Sequence, residues 1–249
     1  MAFDLDERPS DSRFVQSIWH TQIERAEEFT SVAVSHWEMV VTKLNGKTSL
    51  TVRGPETKAT VAAAPADGEF FGIVFKHDVF MPRWPTGKLV DAARELPRAT
   101  SRSFELEGAV WQFPTFENAD TFVDRLVKKG VLVFDALVET ALRGAATELS
   151  PRTLRRHCLR ATGLTSGAIR QIDRARQAAA LLQQGVPILD TVDELGYFDQ
   201  AHLTRRLSRL IGHTPAELFR LRERLTLSLS YKNAEFRRAI DRSRGAFKK

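Results

Sequence analysis

The sequence predicts a multidomain α+β chain, with a β-rich N-terminal half followed by an all-α half in which two helix-turn-helix units are joined by a linker helix. Three observations carry this. First, a segment occurs twice, 49 residues apart, as SPRTLRRHCLRATGLTSGAI (Ser150 to Ile169) and DQAHLTRRLSRLIGHTPAEL (Asp199 to Leu218). Second, β-branched stretches flank Asn45 and Gly46, and Asn-Gly is the strongest short hairpin signal. Third, charge is divided between the halves. Residues 145–249 carry 20 Lys or Arg against 10 Asp or Glu, a net +10, whereas residues 1–144 carry 17 against 21, a net −4.

From the N-terminus, His36 to Lys43 and Thr48 to Val52 read as two strands of the Asn45-Gly46 hairpin, and Phe70 to Phe75 (FFGIVF) as a buried strand. The stretches near Arg53, Pro65 and Pro82 hold the Pro and Gly residues of turns. A small β-sandwich or cupin-like barrel is expected. Glu117 to Lys129 then reads as a helix with Phe122, Leu126 and Val127 along one stripe, packed on its own domain.

Val138 to Arg143 reads as the first helix of the first unit, although Gly144 to Glu148 replaces a compact turn. The repeated helices follow. Each opens at a capping residue, Ser150 or Asp199, and closes at a glycine, Gly163 or Gly212. Leu154 with Cys158, and Leu203 with Leu207, lie one turn apart and mark the inward stripe. At about 100° per residue, Arg152, Arg155 and Arg156 project away from it, as do Ala201, Thr204 and Arg205. Between the copies, Ala168 to Gln184 places Ile169, Ile172, Ala175, Ala179 and Leu182 on one face, with Arg170, Arg174 and Arg176 largely off it. Such a helix is roughly 25 Å long, a fitting strut between motifs that read grooves about 34 Å apart. The helix before the second copy begins near Pro187, turns Ile188, Val192 and Leu195 inward and stops at Gly196. A helix, a tight glycine turn and a second polar-faced helix make a helix-turn-helix, whose second helix enters a major groove.

Ser150 to Phe219 resembles the DNA-binding domain of the AraC family of bacterial transcription regulators. The residues that carry the resemblance run from Gly185 and Ile188 through Gly196, Tyr197, Asp199, Gln200, Leu203 and Arg205 to Gly212, Thr214 and Pro215. Two positions depart from the family pattern: Val192 stands where a small alanine is usual, and the first turn is altered. The resemblance implies a DNA-binding regulator whose N-terminal domain senses a small-molecule effector or forms a homodimer. The chain then divides into a β-rich sensor or dimerisation domain (1–116), a connecting helix (117–133), a double helix-turn-helix domain (134–225) and a basic tail (226–249).

The expected base or phosphate contacts are Arg152, Thr153, Arg155, Arg156 and Arg160 in the first repeated helix, and Gln200, Ala201, His202, Thr204, Arg205 and Arg209 in the second. Gln suits adenine and Arg suits guanine, each bidentate contact contributing roughly 1–3 kcal/mol of discrimination. Thr165, Ser166 and Thr214, at helix starts, are expected phosphate contacts. Every Lys or Arg between Ser150 and Leu225 is arginine, which favours forked contacts.

Other classes find little support. One cysteine, Cys158, precludes an internal disulfide framework, and its place opposite Leu207 in the repeat marks it as a core residue. No His-x-His pair occurs, His36, His20 and His77 are not brought together by spacing, and no metal or other cofactor is expected. No phosphate loop or nucleophile elbow is present, so no catalytic residue is assigned. Trp37, Trp84, Trp111, Phe113 and Phe116 read as core before pocket lining. The acidic start MAFDLDERPSD lacks the apolar core of a secretory signal, and no apolar run reaches the roughly 20 residues of a membrane span, so a cytoplasmic location is expected. The rival readings are an N-terminal cupin-like enzyme or ligand carrier with an accessory helical domain, and an adaptor for an acidic protein partner.

Overall fold

A computed structural model of the protein describes residues 4–84, 86–144 and 148–220. The basic tail and the altered turn at 145–147 lie outside the described residues. The N-terminal half runs β1 (Asp4–Arg8), β2 (Val15–Ile23), β3 (Glu27–Ser31), β4 (Glu38–Leu44), β5 (Lys47–Arg53), β6 (Thr60–Ala64), β7 (Gly68–Phe75), β8 (Val79–Phe80), a short 3-10 turn at Thr86–Lys88, then β9 (Ala93–Glu95), β10 (Arg98–Thr100), β11 (Ser103–Leu106), β12 (Ala109–Gln112), α1 (Ala119–Lys128) and β13 (Val133–Phe134). The helical half follows as α2 (Ala136–Arg143), α3 (Pro151–Thr162), α4 (Ser166–Gln184), α5 (Ile188–Glu194), α6 (Gln200–Leu210) and α7 (Pro215–Arg220).

The principal sheet is antiparallel with the order β1-β2-β7-β4-β5-β9, and smaller sheets pair β3 with β6, β8 with β13, and β10-β11-β12. The hairpin forms as expected, with Leu44 opposite Lys47. Asn45 and Gly46 both take positive φ, 51° and 70°, which a two-residue turn matched to strand twist requires. Strand alternation divides the sheet's residues between two faces. Met39, Val41, Ile73 and Phe75 point to the larger core, which Phe122, Val123 and Leu126 of α1 and Phe104 of β11 complete. The helix expected at 117–129 therefore packs on its own domain. Val40 and Val74 point the other way and meet Trp19.

The five aromatics belong to the core. Trp37 stacks on Phe75 with ring centroids 4.1 Å apart, and its Nε1–H donates to the Val79 carbonyl at 2.7 Å. Trp111 meets Phe122 edge-on, Phe113 lies against Phe104, Phe116 against Phe71, and Trp84 packs on the same cluster.

The two halves share one further core. Val32 and Ala33, between β3 and β4, are buried in a cluster with Ile169 and Ile172 of α4, Leu207 and Leu210 of α6, and Leu218 of α7. Arg176 corrects the expectation that it lies off the buried face of the linker helix. It is only 3% exposed, and its Nη1 donates to the Ala33 carbonyl at 2.8 Å. Burial lowers its pKa to about 10, with Asp173 and Glu56 opposing the shift. Nearby, Ser35 donates to Asp173 at 2.9 Å and lies 2.9 Å from His77 Nε2, while the His36 and His77 rings lie with centroids 3.8 Å apart, tilted by 30°. The helix face that would meet solvent in an isolated helical domain is covered by the β domain.

Candidate nucleic-acid interface

Both repeated helices begin as the sequence dictates. Ser150 Oγ accepts the Thr153 N–H at 3.2 Å, and Asp199 Oδ1 accepts the His202 N–H at 2.5 Å, each satisfying an otherwise orphaned helix donor. Inward residues also correspond. Cys158 in α3 and Leu207 in α6 are both fully buried, and burial pushes the Cys158 thiol pKa up. Thr165 caps α4 by accepting the Ala168 N–H at 3.1 Å, so only three residues separate the linker helix from the end of α3. Its 19 residues give a length of about 28 Å.

The outward faces carry the candidate residues. Arg152, Arg155 and Arg156 on α3, and Gln200, Ala201, Arg205 and Arg209 on α6, are exposed, while Thr153, Thr204 and His202 are half-buried. The guanidinium groups of those five arginines have no hydrogen bond or ion pair with any described residue. Free, unpaired cations on a rigid helix suit phosphate oxygens or guanine.

Other predicted residues are engaged elsewhere. Arg160 Nη2 donates to Asp135 Oδ2 at 2.6 Å, and its guanidinium lies 5.1 Å from the Phe80 ring centre. The same oxygen meets His157 Nδ1 at 2.6 Å, while Asp135 Oδ1 caps α2. Burial raises the Asp135 pKa, but the hydrogen bonds from His157 and Arg160 outweigh it and leave the carboxyl below its ordinary range. His202 is built into the turn: Nδ1 accepts the Phe198 N–H at 3.4 Å and the Tyr197 ring meets it edge-on. Thr204 donates back to the Gln200 carbonyl, and Thr214 forms a reciprocal capping box with Glu217, at 2.7 Å from its N–H and 3.3 Å to its hydroxyl. Ser166 stands half-buried in the first turn of α4.

Two features of the interface had no sequence signal. Arg174 stacks on Tyr197, 4.5 Å from the ring centre, and bonds the Gly196 carbonyl, bracing the turn from the linker helix. The C-terminal carbonyls of α6, orphaned by helix geometry, accept N–H groups from the β domain: Ala33 to Leu210 at 2.7 Å and Ala59 to Arg209 at 2.9 Å.

Paired helices with exposed cationic second members, joined by a packed strut, define a double helix-turn-helix DNA-binding domain. Residues 144–221 match the model of the helix-turn-helix domain family, and this part of the chain is a helix-turn-helix domain of the AraC type. No curated protein and no solved structure matches the chain at a significant level. Among the described residues no cluster of three His, Cys, Asp or Glu could hold a metal ion, and no helix is long and apolar enough to cross a membrane.

Proposed function

We propose that the protein is a sequence-specific transcription regulator that inserts α3 and α6 into successive major-groove segments of double-stranded DNA, under the control of its N-terminal domain. The observation that carries this reading is the pair of capped helices at a spacing of 49 residues, each with arginines that have no partner among the described residues on the face opposite its buried stripe. Arg152, Arg155 and Arg156 serve the first contact, and Gln200, Ala201, Arg205 and Arg209 the second. The half-buried Thr153, His202 and Thr204 flank these contacts. Thr165, Ser166 and Thr214 mark helix starts beside the backbone, Thr214 through its N-terminal position and not through its hydroxyl, which Glu217 holds. Arg160 stabilises the junction with Asp135. Two motifs allow one chain to span two turns, and the N-terminal domain supplies effector response and, in a homodimer, the second subunit's contact.

Arg156→Ala and Arg205→Ala test the assignment. Each removes an exposed group, so the unfolding midpoint stays unchanged while specific duplex affinity falls about 10-fold to 100-fold, the loss of roughly 1–3 kcal/mol expected for a bidentate contact. Unchanged affinity in both variants would remove these helices from the interface.

A further inference from the structure

A cavity of about 580 Å³ lies between the β3–β6 pair and the principal sheet. That volume suits a small organic molecule. Ile23, Phe29, Ala62 and Phe70 give it an apolar wall. Thr21, only 2% exposed, also lines it, and its hydroxyl oxygen has no hydrogen-bond partner among the described residues. Buried hydroxyls are ordinarily bonded, so this one is available to a guest.

The charges at the rim are unequal in a way that selects the guest. Its two acids are already engaged: Glu56 accepts the Ser31 hydroxyl at 2.7 Å, and Asp91 accepts both the N–H and hydroxyl of Thr57 at 2.6 Å. Its two cations, Arg53 and Lys58, have no partner among the described residues. An apolar chamber with unpaired cations at the rim fits an amphipathic carboxylate.

The chamber shares its wall with the clamp on α6. Lys58 and Thr60 line the cavity, and Ala59 between them donates its N–H to the Arg209 carbonyl. Ser31 lines the cavity, and Ala33, two residues on, donates to the Leu210 carbonyl. A guest that moves either segment shifts a backbone group bonded directly to the recognition helix.

We propose that this cavity binds a small organic acid with an apolar body, its carboxylate held by Arg53 and Lys58, and that the ends of β3 and β6 transmit its occupancy to α6. The coupling to DNA rests on the function proposed above; the binding site does not.

The test uses the full chain with 1-naphthoate and decanoate, one aromatic and one aliphatic acid, and 1-naphthamide as the uncharged control. By calorimetry at least one acid binds. The amide binds about tenfold more weakly than naphthoate where naphthoate binds, and a variant carrying Arg53→Gln and Lys58→Gln loses about tenfold for the acid. Ala62→Phe, which fills the chamber, abolishes binding with the circular dichroism spectrum unchanged. Saturating acid alters specific duplex affinity by about fivefold or more in the natural protein but not in Ala62→Phe. No binding of either acid, equal binding of acid and amide, or binding that survives Ala62→Phe would overturn the site. Binding that leaves duplex affinity unmoved would overturn the coupling. A protein that ignores duplex altogether would defeat the DNA-binding reading, while the calorimetry would still decide the site.

Discussion

Gly212→Ala probes the junction on which the structure depends most. Gly212 follows α6 at φ +81°, a conformation that L side chains rarely adopt, so an alanine there costs roughly 1–2 kcal/mol in backbone strain. Its added methyl would stand 2.7 Å from Thr30 Cγ2 and 3.1 Å from Ala59 Cβ, both in the other domain. Thr is β-branched and stiff, so it yields little, and overpacking of this kind adds roughly 1–3 kcal/mol. The total loss is about 2–5 kcal/mol. Thr30→Ala removes only the nearer clash, so the two substitutions must couple. Urea unfolding of the natural protein, each single variant and the double variant should give an interaction of about 1–2 kcal/mol in favour of the double variant. Strict additivity would show that the two domains do not meet at Gly212, and the account of a shared core would fall.

Three further outcomes follow from buried groups. His77 is buried and burial lowers its pKa from the ordinary 6.5 to about 4; below pH 6.5 the unfolded chain takes up the proton first, so stability falls between about pH 6.5 and 4. His36 is lowered too, by burial, His77 and Arg176, so in urea titrations at several pH values His77→Gln should make this slope shallower without removing it; an unchanged slope would contradict the assignment. Asp135 has a depressed folded pKa, so its contribution is present above the ordinary carboxyl range and lost as pH falls through the folded value; Asp135→Asn should flatten the acid limb of unfolding and weaken the start of α2. The Cys158 thiol is fully buried with its pKa pushed up by burial, so an aromatic disulfide reagent should label it only at the rate of unfolding; rapid labelling of the native protein would mean that α3 is not packed on its core.

The helical half was legible because its information is local. Ser150 and Asp199 cap the helices named from spacing, Cys158 and Leu207 occupy the same inward position, and the linker helix differs by only two residues at its start. The Asn45-Gly46 hairpin and the strand at Phe70 were legible for the same reason. What could not be read was set by contacts distant in sequence. Arg176 looks like a solvent residue on a helical wheel, and only the arrival of Ala33, 143 residues away, makes it a buried donor. Arg160 matches Arg209 in the repeat, but Asp135 captures it alone because α2 and α3 pack beside Phe80. His36 and His77 likewise meet only through the fold. The cavity left no trace at all. Its wall of small alanines at 62–64 carries no pattern beyond strand alternation, whereas the aromatics that could have marked a pocket fill the core.

Charge joins these observations to function. The helical half concentrates the positive charge, and five arginines with no partner among the described residues face outward on the two repeated helices, so binding should release counterions and weaken steeply with salt. The most direct measurement is the affinity of the full protein for labelled duplex from its own upstream region, at two salt concentrations and against excess unrelated DNA, with Arg156→Ala and Arg205→Ala alongside. Binding should survive the competitor, fall as salt rises, and drop about 10-fold to 100-fold in each variant. Binding erased equally by any competitor and untouched by both substitutions would contradict the DNA-binding reading.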